Sequence, residues 1–278
     1  MSIQIFTPRN VDGSPINVPM GYRRKVKWLP QIGDIFPNFK VATTQGDLNF
    51  WDWAEGSYTF LFSHPAAKTP VCTTEIAALA RAEACFERLE TNVLALTGSS
   101  MQEQLEWHDD IRQDFQARVW FPGAEDKGGH LAKLFGMRHE KEHATWPIRK
   151  SFILDPQMRV RMIFEYPVFI GRCVDETLRV ITALQLHDRT GFATPGDWYE
   201  GDAVIVPEDI PEAQVLRELG VQSRQVSPYL RVAQPNSKPA NIFTELSPSR
   251  HMPDPSPESE IIVEMRQQLT APEAEDGR

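Results

Sequence analysis

Three thiols carry the most reactive side chains in this sequence: Cys72, Cys85 and Cys173. Cys72 is set apart by its surroundings. It closes the segment Pro65-Ala66-Ala67-Lys68-Thr69-Pro70-Val71-Cys72, which follows the apolar run Tyr58-Thr59-Phe60-Leu61-Phe62 and precedes a stretch with helical spacing. A cysteine so placed opens a helix. The first helical N–H groups lack intrahelical partners and the helix dipole is positive there, so a thiolate is stabilised. A free thiol titrates near ~8.5, and helix N-termini and nearby cations lower such a value by roughly one to several units. A thiolate of this kind attacks a peroxide O–O bond and leaves a sulfenic acid on the sulfur. Thr69 can set a hydroxyl beside the sulfur, to donate to or accept from the peroxide oxygens. Pro65 would stiffen the loop and shield the thiolate from bulk water. The cation such a site needs must come from an arginine elsewhere in the chain. The bland alternative is a small buried hydrophobe, which is what most free cysteines are.

The elements that must hold this thiol are readable from hydrophobic period. Tyr58 to Phe62 is a buried-strand candidate. Thr73 to Leu89 has Ile76, Leu79, Phe86 and Leu89 near helical spacing, and Val93 to Thr97 is the next strand. A strand–helix–strand unit favours a parallel pair. Residues 102–116 and 129–136 look helical, the latter ending at Gly136. Ser151 to Leu154 and Val160 to Phe164 flank the turn Asp155-Pro156-Gln157-Met158, an expected antiparallel hairpin. Val174 to Leu186 is a further helix. The fold class is α/β, a central mixed sheet flanked by helices.

The flanks read differently. Residues 1–29 show no clear periodicity and form an expected surface extension. From about Ala233 the chain is polar and punctuated by Pro235, Pro239, Pro248, Pro253, Pro255, Pro257 and Pro272. That tail cannot bury much surface alone, so disorder or wrapping around a partner is expected. Ile261 to Leu269 is a short helix candidate within it.

Bulk composition excludes several classes. Of the 278 residues, 41% are hydrophobic and 10% aromatic, enough for a real core. The apolar runs are too short to span a bilayer, and Met1 to Asn10 has no secretory pattern. With 29 Lys and Arg against 38 Asp and Glu, the net charge is −9, which argues against a dedicated nucleic-acid binder. Arg23, Arg24, Lys25 and Lys27 read as a solvated basic face. An odd, low cysteine count suits a reducing compartment, and a cytoplasmic location is expected.

Pro65-x-x-x-Thr69-x-x-Cys72 resembles the peroxidatic motif of peroxiredoxins, and His64-Pro65 with Thr69-Pro70-Val71-Cys72-Thr73-Thr74-Glu75 resembles the one-cysteine group typified by peroxiredoxin 6. Further anchors follow in order: Gly33-Asp34 with Pro37-Asn38-Phe39, Arg149-x-x-Phe152-Ile153, Gly171-Arg172-x-x-Asp175-Glu176, Thr194-Pro195-x-Asp197-Trp198 with Gly201-Asp202, and Tyr229-Leu230-Arg231. The resemblance covers roughly residues 30–232. It implies a thioredoxin-like peroxidase domain over 30–187 and a small C-terminal domain over 188–232. It implies that Cys72 is the peroxidatic thiolate, that Thr69 and Arg149 hold and polarise the peroxide, and that Pro65 shields the pocket. Arg172 matches a second, supporting arginine, Glu75 an acidic residue that orients both arginines, and His64 a histidine beside the site. It implies hydroperoxide substrates, a thiol or thiol-protein reductant, no cofactor or metal, and a homodimer or a larger assembly.

Two thiols compete to resolve an oxidised Cys72. Cys85 lies thirteen residues on, ~20 Å along one helix at about 1.5 Å per residue. A disulfide needs Cα atoms within ~7 Å. Cys173, beside Arg172 near a helix N-terminus, remains an open redox candidate. The expected route is therefore a one-cysteine cycle closed by an external thiol such as glutathione. A redox-sensing or chaperone-like oligomer using the same cysteine is the alternative. A thioredoxin-like disulfide reductase is disfavoured because Thr73, Thr74 and Glu75 follow Cys72 where a Cys-x-x-Cys partner would stand.

Two other patterns are set aside. The resembling group can carry a Ser–His–Asp phospholipase, and Ser57 matches its serine. Trp51 and Gln157 stand at the histidine and aspartate positions, and a serine without a base is not activated. His139-Glu140-Lys141-Glu142-His143 fits H-E-x-x-H, but it is wholly polar and runs into Trp146-Pro147, so a solvated loop is expected rather than a zinc helix.

Overall fold

Period-two alternation along the central strands builds two cores, one on each face of a single sheet. The computed structural model describes residues 29–236. In chain order the elements are β1 (Lys40–Thr43), β2 (Gly46–Asn49), α1 (Phe50–Ala54), β3 (Tyr58–Ser63), α2 (Pro70–Arg81), α3 (Glu83–Arg88), β4 (Thr91–Thr97) and α4 (Met101–Asp114). They continue with β5 (Gly123–Glu125), α5 (His130–Leu134), β6 (Arg149–Leu154), β7 (Val160–Tyr166) and α6 (Val174–Thr190). The C-terminal part holds β8 (Val204–Ile205), α7 (Glu212–Leu219), β9 (Arg224–Ser227) and β10 (Leu230–Ala233).

The large sheet has seven strands in the order β2-β1-β5-β4-β3-β6-β7. β3 pairs parallel with β4, and β4 with β5; β6 joins β3 antiparallel, and β7 joins β6 antiparallel. Successive side chains of a strand point to opposite faces. Phe60 and Phe62 accordingly enter one core while Leu61 enters the other; Val93 and Ala95 part from Leu94 and Leu96 in the same way. The first core takes Ile76 and Leu79 of α2, Phe86 of α3, Trp107 and Ile111 of α4, and Leu178 and Ile181 of α6. The second takes Phe50 of α1 and Ala132 of α5. Cys72 belongs to the first core and is fully buried.

A third cluster, Phe192, Val204, Val206, Ile210, Val215 and Ala233, fills the C-terminal part around the sheet β8-β10-β9. Gly191 ends α6 at a φ of +73°, a left-handed turn that a side chain adopts only with strain. The fold is thus the mixed α/β arrangement expected, with a small second sheet.

The structure differs from the sequence reading at several elements. The helix expected from Thr73 to Leu89 is two helices, interrupted at Ala82, whose φ of −87° and ψ of 11° leave the helical region. The straight-rod distance to Cys85 therefore does not apply. The helix expected to stop at Leu186 runs on to Thr190, one turn further. The hairpin β1–β2, the short β5 and the sheet β8-β10-β9 lacked a clear hydrophobic period. The basic cluster at 23–27, residues 1–28 of the N-terminal extension, and the tail beyond residue 236 with its helix candidate at 261–269 lie outside the described residues.

Candidate active site

The site grows from the first turn of α2. Thr69 is its N-cap and Pro70 occupies the first helical position, where a missing N–H costs nothing. Thr73 N–H donates to the Thr69 carbonyl at 2.9 Å, so the Val71 and Cys72 amides precede the first helical hydrogen bond and face the end of the helix. Cys72 Sγ sits in this positive end. The loop before it is tied down: the Ala67 amide donates to Ser99 Oγ at 2.9 Å, and Pro65 is buried.

Arg149, the first residue of β6, brings the cation. It is 2% exposed, and its Nη1 lies 3.3 Å from Cys72 Sγ. The same Nη1 donates to Glu75 Oε2 at 2.6 Å, while Nε and Nη2 both donate to the Val168 carbonyl, at 2.9 and 2.6 Å. Three nitrogens of one planar fork are thereby fixed. Glu75 lies one helical turn after Cys72 and is buried. Its Oε2 also accepts from Arg172 Nη2 at 2.9 Å, and its Oε1 accepts from the Arg172 amide at 2.7 Å. Arg172 reaches back to the Ser63 carbonyl and Ser151 Oγ and stacks 4.5 Å from the centre of the Phe62 ring. Burial pulls Arg172 below its ordinary value, and the Glu75 charge offsets only part of that. With Cys72 as a thiolate, the cluster holds two cations and two anions. A buried group of charges survives only when paired in this way.

Thr69 and His64 bracket the loop between β3 and α2. Thr69 Oγ1 donates to the Ala66 carbonyl at 2.9 Å, which commits its proton and leaves its lone pairs to accept. Of the two hydroxyl roles open at the sequence level, this geometry favours accepting. His64 is buried, 5.4 Å from the Trp107 ring and 6.3 Å from the Phe62 ring. Burial first, then the Arg172 and Arg149 charges, hold its imidazole well below the usual histidine range, so it stands neutral among aromatic rings.

One residue was missed. Trp107 of α4, 2% exposed, donates from Nε1 to Thr73 Oγ1 at 3.0 Å, and that hydroxyl donates to the Thr69 carbonyl at 2.8 Å. The first turn of α2 is therefore clamped from a second helix. Trp107 lies 35 positions from Cys72 in the chain, and no local signal links them.

The other candidates fall outside the cluster. Cys85 is buried on α3 among apolar side chains, and burial pushes its thiol up. Cys173 is exposed and caps α6 without a side-chain hydrogen bond to the helix. Ser57 has no base: Trp51 Nε1, at the histidine position, donates to the Phe36 carbonyl, and the carboxylate of Asp155, two residues before Gln157, accepts from the Gln157 and Arg159 amides and pairs with Arg161. His139 to His143 form an irregular turn, not a helix, with His143 stacked on Trp146. Among the described residues no group of three His, Cys, Asp or Glu is placed to hold a metal ion.

Residues 32–163 match the AhpC/TSA family, and residues 183–218 match the C-terminal domain of 1-Cys peroxiredoxin. The chain is 36% identical to the mitochondrial peroxiredoxin PRX1 of Saccharomyces cerevisiae over 70% of its own length and 77% of that protein. The chain belongs to the peroxiredoxin family. It is 32% identical to the 1-Cys peroxiredoxin of Dictyostelium discoideum, over 74% of this chain and 86% of that one. Two solved peroxiredoxins superpose with TM-scores of 0.67. One is a yeast mitochondrial 1-Cys peroxiredoxin at 34% identity, over 74% of this chain and all of that one. The other is a cysteine-to-serine mutant of peroxiredoxin 6 from Arenicola marina at 30% identity, over 74% of this chain and 99% of that one. This peroxiredoxin is thus a thiol-dependent peroxidase with a thioredoxin-like fold. Among the described residues no helix is long and apolar enough to cross a membrane.

Proposed function

We propose that Cys72 is the peroxidatic thiol and that this chain turns over hydrogen peroxide and organic hydroperoxides in a one-cysteine cycle. The carrying observation is Arg149 Nη1 at 3.3 Å from Cys72 Sγ, with its guanidinium fixed by Glu75 and the Val168 carbonyl. The thiolate attacks the terminal peroxide oxygen, an S–O bond forms as the O–O bond breaks, and the leaving alkoxide or hydroxide takes a proton. Arg149 and the amides at the start of α2 stabilise the charge that moves from sulfur to the leaving oxygen. Thr69 Oγ1 accepts from the hydroperoxide O–H and aligns it. Pro65 shields the sulfur, Arg172 and Glu75 hold Arg149 in register, and neutral His64 packs the wall.

An external thiol then attacks the sulfenic sulfur, releasing water and forming a mixed disulfide. A second thiol attacks that disulfide and restores the Cys72 thiolate. Small thiols such as glutathione fit this step. The structurally similar yeast mitochondrial 1-Cys peroxiredoxin is itself resolved via the glutathione and thioredoxin systems. Cys72 and Cys173 are both free thiols, Cys72 buried at the start of α2 and Cys173 exposed at the N-cap of α6. The working unit is a homodimer or larger, with a peroxidase domain over 30–187 and a C-terminal domain over 188–232. A reducing, cytoplasmic location suits the three free thiols, although the yeast relative carries a mitochondrial name.

The test is steady-state consumption of hydrogen peroxide with glutathione or thioredoxin in excess, wild type against Cys72→Ser. Sustained turnover lost in Cys72→Ser is expected. A single stoichiometric reaction that then stops would overturn turnover in favour of a sensor. A Cys72–Cys173 disulfide seen by mass spectrometry after one equivalent of peroxide would overturn the one-cysteine cycle.

A further inference from the structure

The polar turn His139-Glu140-Lys141-Glu142-His143 lies outside the cluster round Cys72, yet it touches the support of Arg149. Both Nε and Nη2 of Arg149 rest on the Val168 carbonyl, so the plane of the guanidinium follows that carbonyl. Val168 lies in the irregular connection from β7 to α6, next to Phe169 and Ile170, both exposed. Such a connection has little packing of its own to hold it. Its far end is fixed by the Arg172 amide on Glu75, and Gly171 lies against Val71 and Glu75. Its near end leaves the β6–β7 ladder at the Arg149–Tyr166 pair and turns with the Ile170 amide on the Pro167 carbonyl at 3.2 Å; the side-chain tie to Val168 itself is its N–H donating to Glu142 Oε1 at 3.0 Å.

Glu142 is itself held. The Glu142 and His143 amides donate to the His139 carbonyl at 2.9 and 3.0 Å, closing the turn. Arg138 Nη2 donates to the Ala144 carbonyl at 2.7 Å, and His143 Nδ1 accepts from the Thr145 and Trp146 amides while its ring stacks on Trp146 at 4.4 Å. The turn is thus a built support, and its carboxylate makes a charge-assisted bond to a peptide N–H.

We propose that Glu142 is a positioning residue for the reaction at Cys72, acting through Val168 on Arg149. It touches neither substrate nor sulfur. It fixes the residue whose carbonyl aims the guanidinium that lies 3.3 Å from Sγ. The proposal rests on the reading that Cys72 is the peroxidatic thiol, which Cys72→Ser tests separately.

The experiment uses the full chain as wild type, Glu142→Ala and Glu142→Gln. The rate of peroxide reaction is read by stopped flow, Cys72 reactivity by iodoacetamide alkylation at neutral pH, and folding by thermal melting. A misplacement of about 1 Å can cost on the order of 10²-fold in rate. Glu142→Ala is expected to lower both rates together by about tenfold or more, with the melting temperature little changed for an exposed loop position. Glu142→Gln keeps an oxygen that accepts from Val168 N–H and is expected to stay within about threefold of wild type. Wild-type rates in Glu142→Ala would overturn the proposal. So would equal losses in the Ala and Gln variants, because the acceptor would then not be what matters. If Glu142→Ala fails to fold, Glu142→Ser carries the same comparison.

Discussion

Arg149 does at one residue what no single interaction in the site does alone. It meets the sulfur, the buried Glu75 carboxylate and the Val168 carbonyl with one planar group. Lysine has one point charge and cannot make these bonds in fixed directions. Arg149→Lys should therefore keep the charge and lose the aim. We expect its second-order rate with hydrogen peroxide to fall by about 10²–10³, the cost of losing one preorganised donor to developing charge. Stopped-flow measurement with the variant and wild type at equal pH checks this, and a rate within a few-fold of wild type would show that charge alone suffices. Cys72, Thr69 and Pro65 were legible because they share eight consecutive residues, from Pro65 to Cys72. Arg149, Glu75, Arg172 and His64 were assigned by resemblance, and the need for an arginine was itself a chemical expectation. The division of Arg149 among three partners was not legible, because Val168 is nineteen positions away in an irregular segment.

At the scale of elements, α2 is held in place by α4. Trp107 Nε1 on Thr73 Oγ1, and Thr73 on the Thr69 carbonyl, lock the turn that carries Cys72. Thr73→Val removes the acceptor and leaves a buried indole N–H unpaired, a loss of about 1–3 kcal/mol. Urea denaturation should show that loss. The double variant Thr73→Val/Trp107→Phe should cost less than the two single changes added, since the shared bond is lost only once; strict additivity would mean the bond contributes nothing. The start of α4 was within reach of a sequence argument, because Ser100 and Glu103 form a capping box. The break between α2 and α3 was not. Ala82 is a strong helix former, and the kink lies next to Arg81, which reaches the Phe115 carbonyl and ring.

On the scale of the whole molecule, one charged knot joins the sheet to the helix that leads into the C-terminal part. Arg161 of β7 pairs with Asp188 near the end of α6 and with Asp155 in the β6–β7 turn, and Tyr58 of β3 donates to Asp188. The Arg161 hydrogen bond, with help from Tyr58, holds the Asp188 carboxyl below its ordinary value. A carboxylate depressed in the folded state adds stability above its unfolded value, about 3.9, and loses it as pH falls through the lower folded value. Asp188→Asn should therefore lower stability at neutral pH and make the acid limb of a melting-temperature profile shallower below about pH 4. About a third of the Asp188 side chain is exposed, so screening limits the loss to about 1 kcal/mol. Parallel acid limbs in variant and wild type would show that Asp188 contributes nothing to it.

What the sequence determined by itself was local and periodic. The Pro65-to-Cys72 segment, the β3 and β4 runs and the turn from Asp155 to Met158 each lie within a few residues, where propensity, turn chemistry and spacing act directly. The turn closes as expected, with Met158 at a φ of +61° and Asp155 Oδ1 accepting two amides. Tertiary structure decided how distant groups gather round the first turn of α2: Arg149 of β6 on the sulfur, Arg172 ahead of α6 on Glu75, and Trp107 of α4 on Thr73. It also decided that the two buried cations share Glu75, and that Val168 and Glu142 stand behind Arg149. The reason is physical. A charge buried in a core must be matched by partners in space, and spatial neighbours are set by how helices pack on a sheet, not by distance along the chain.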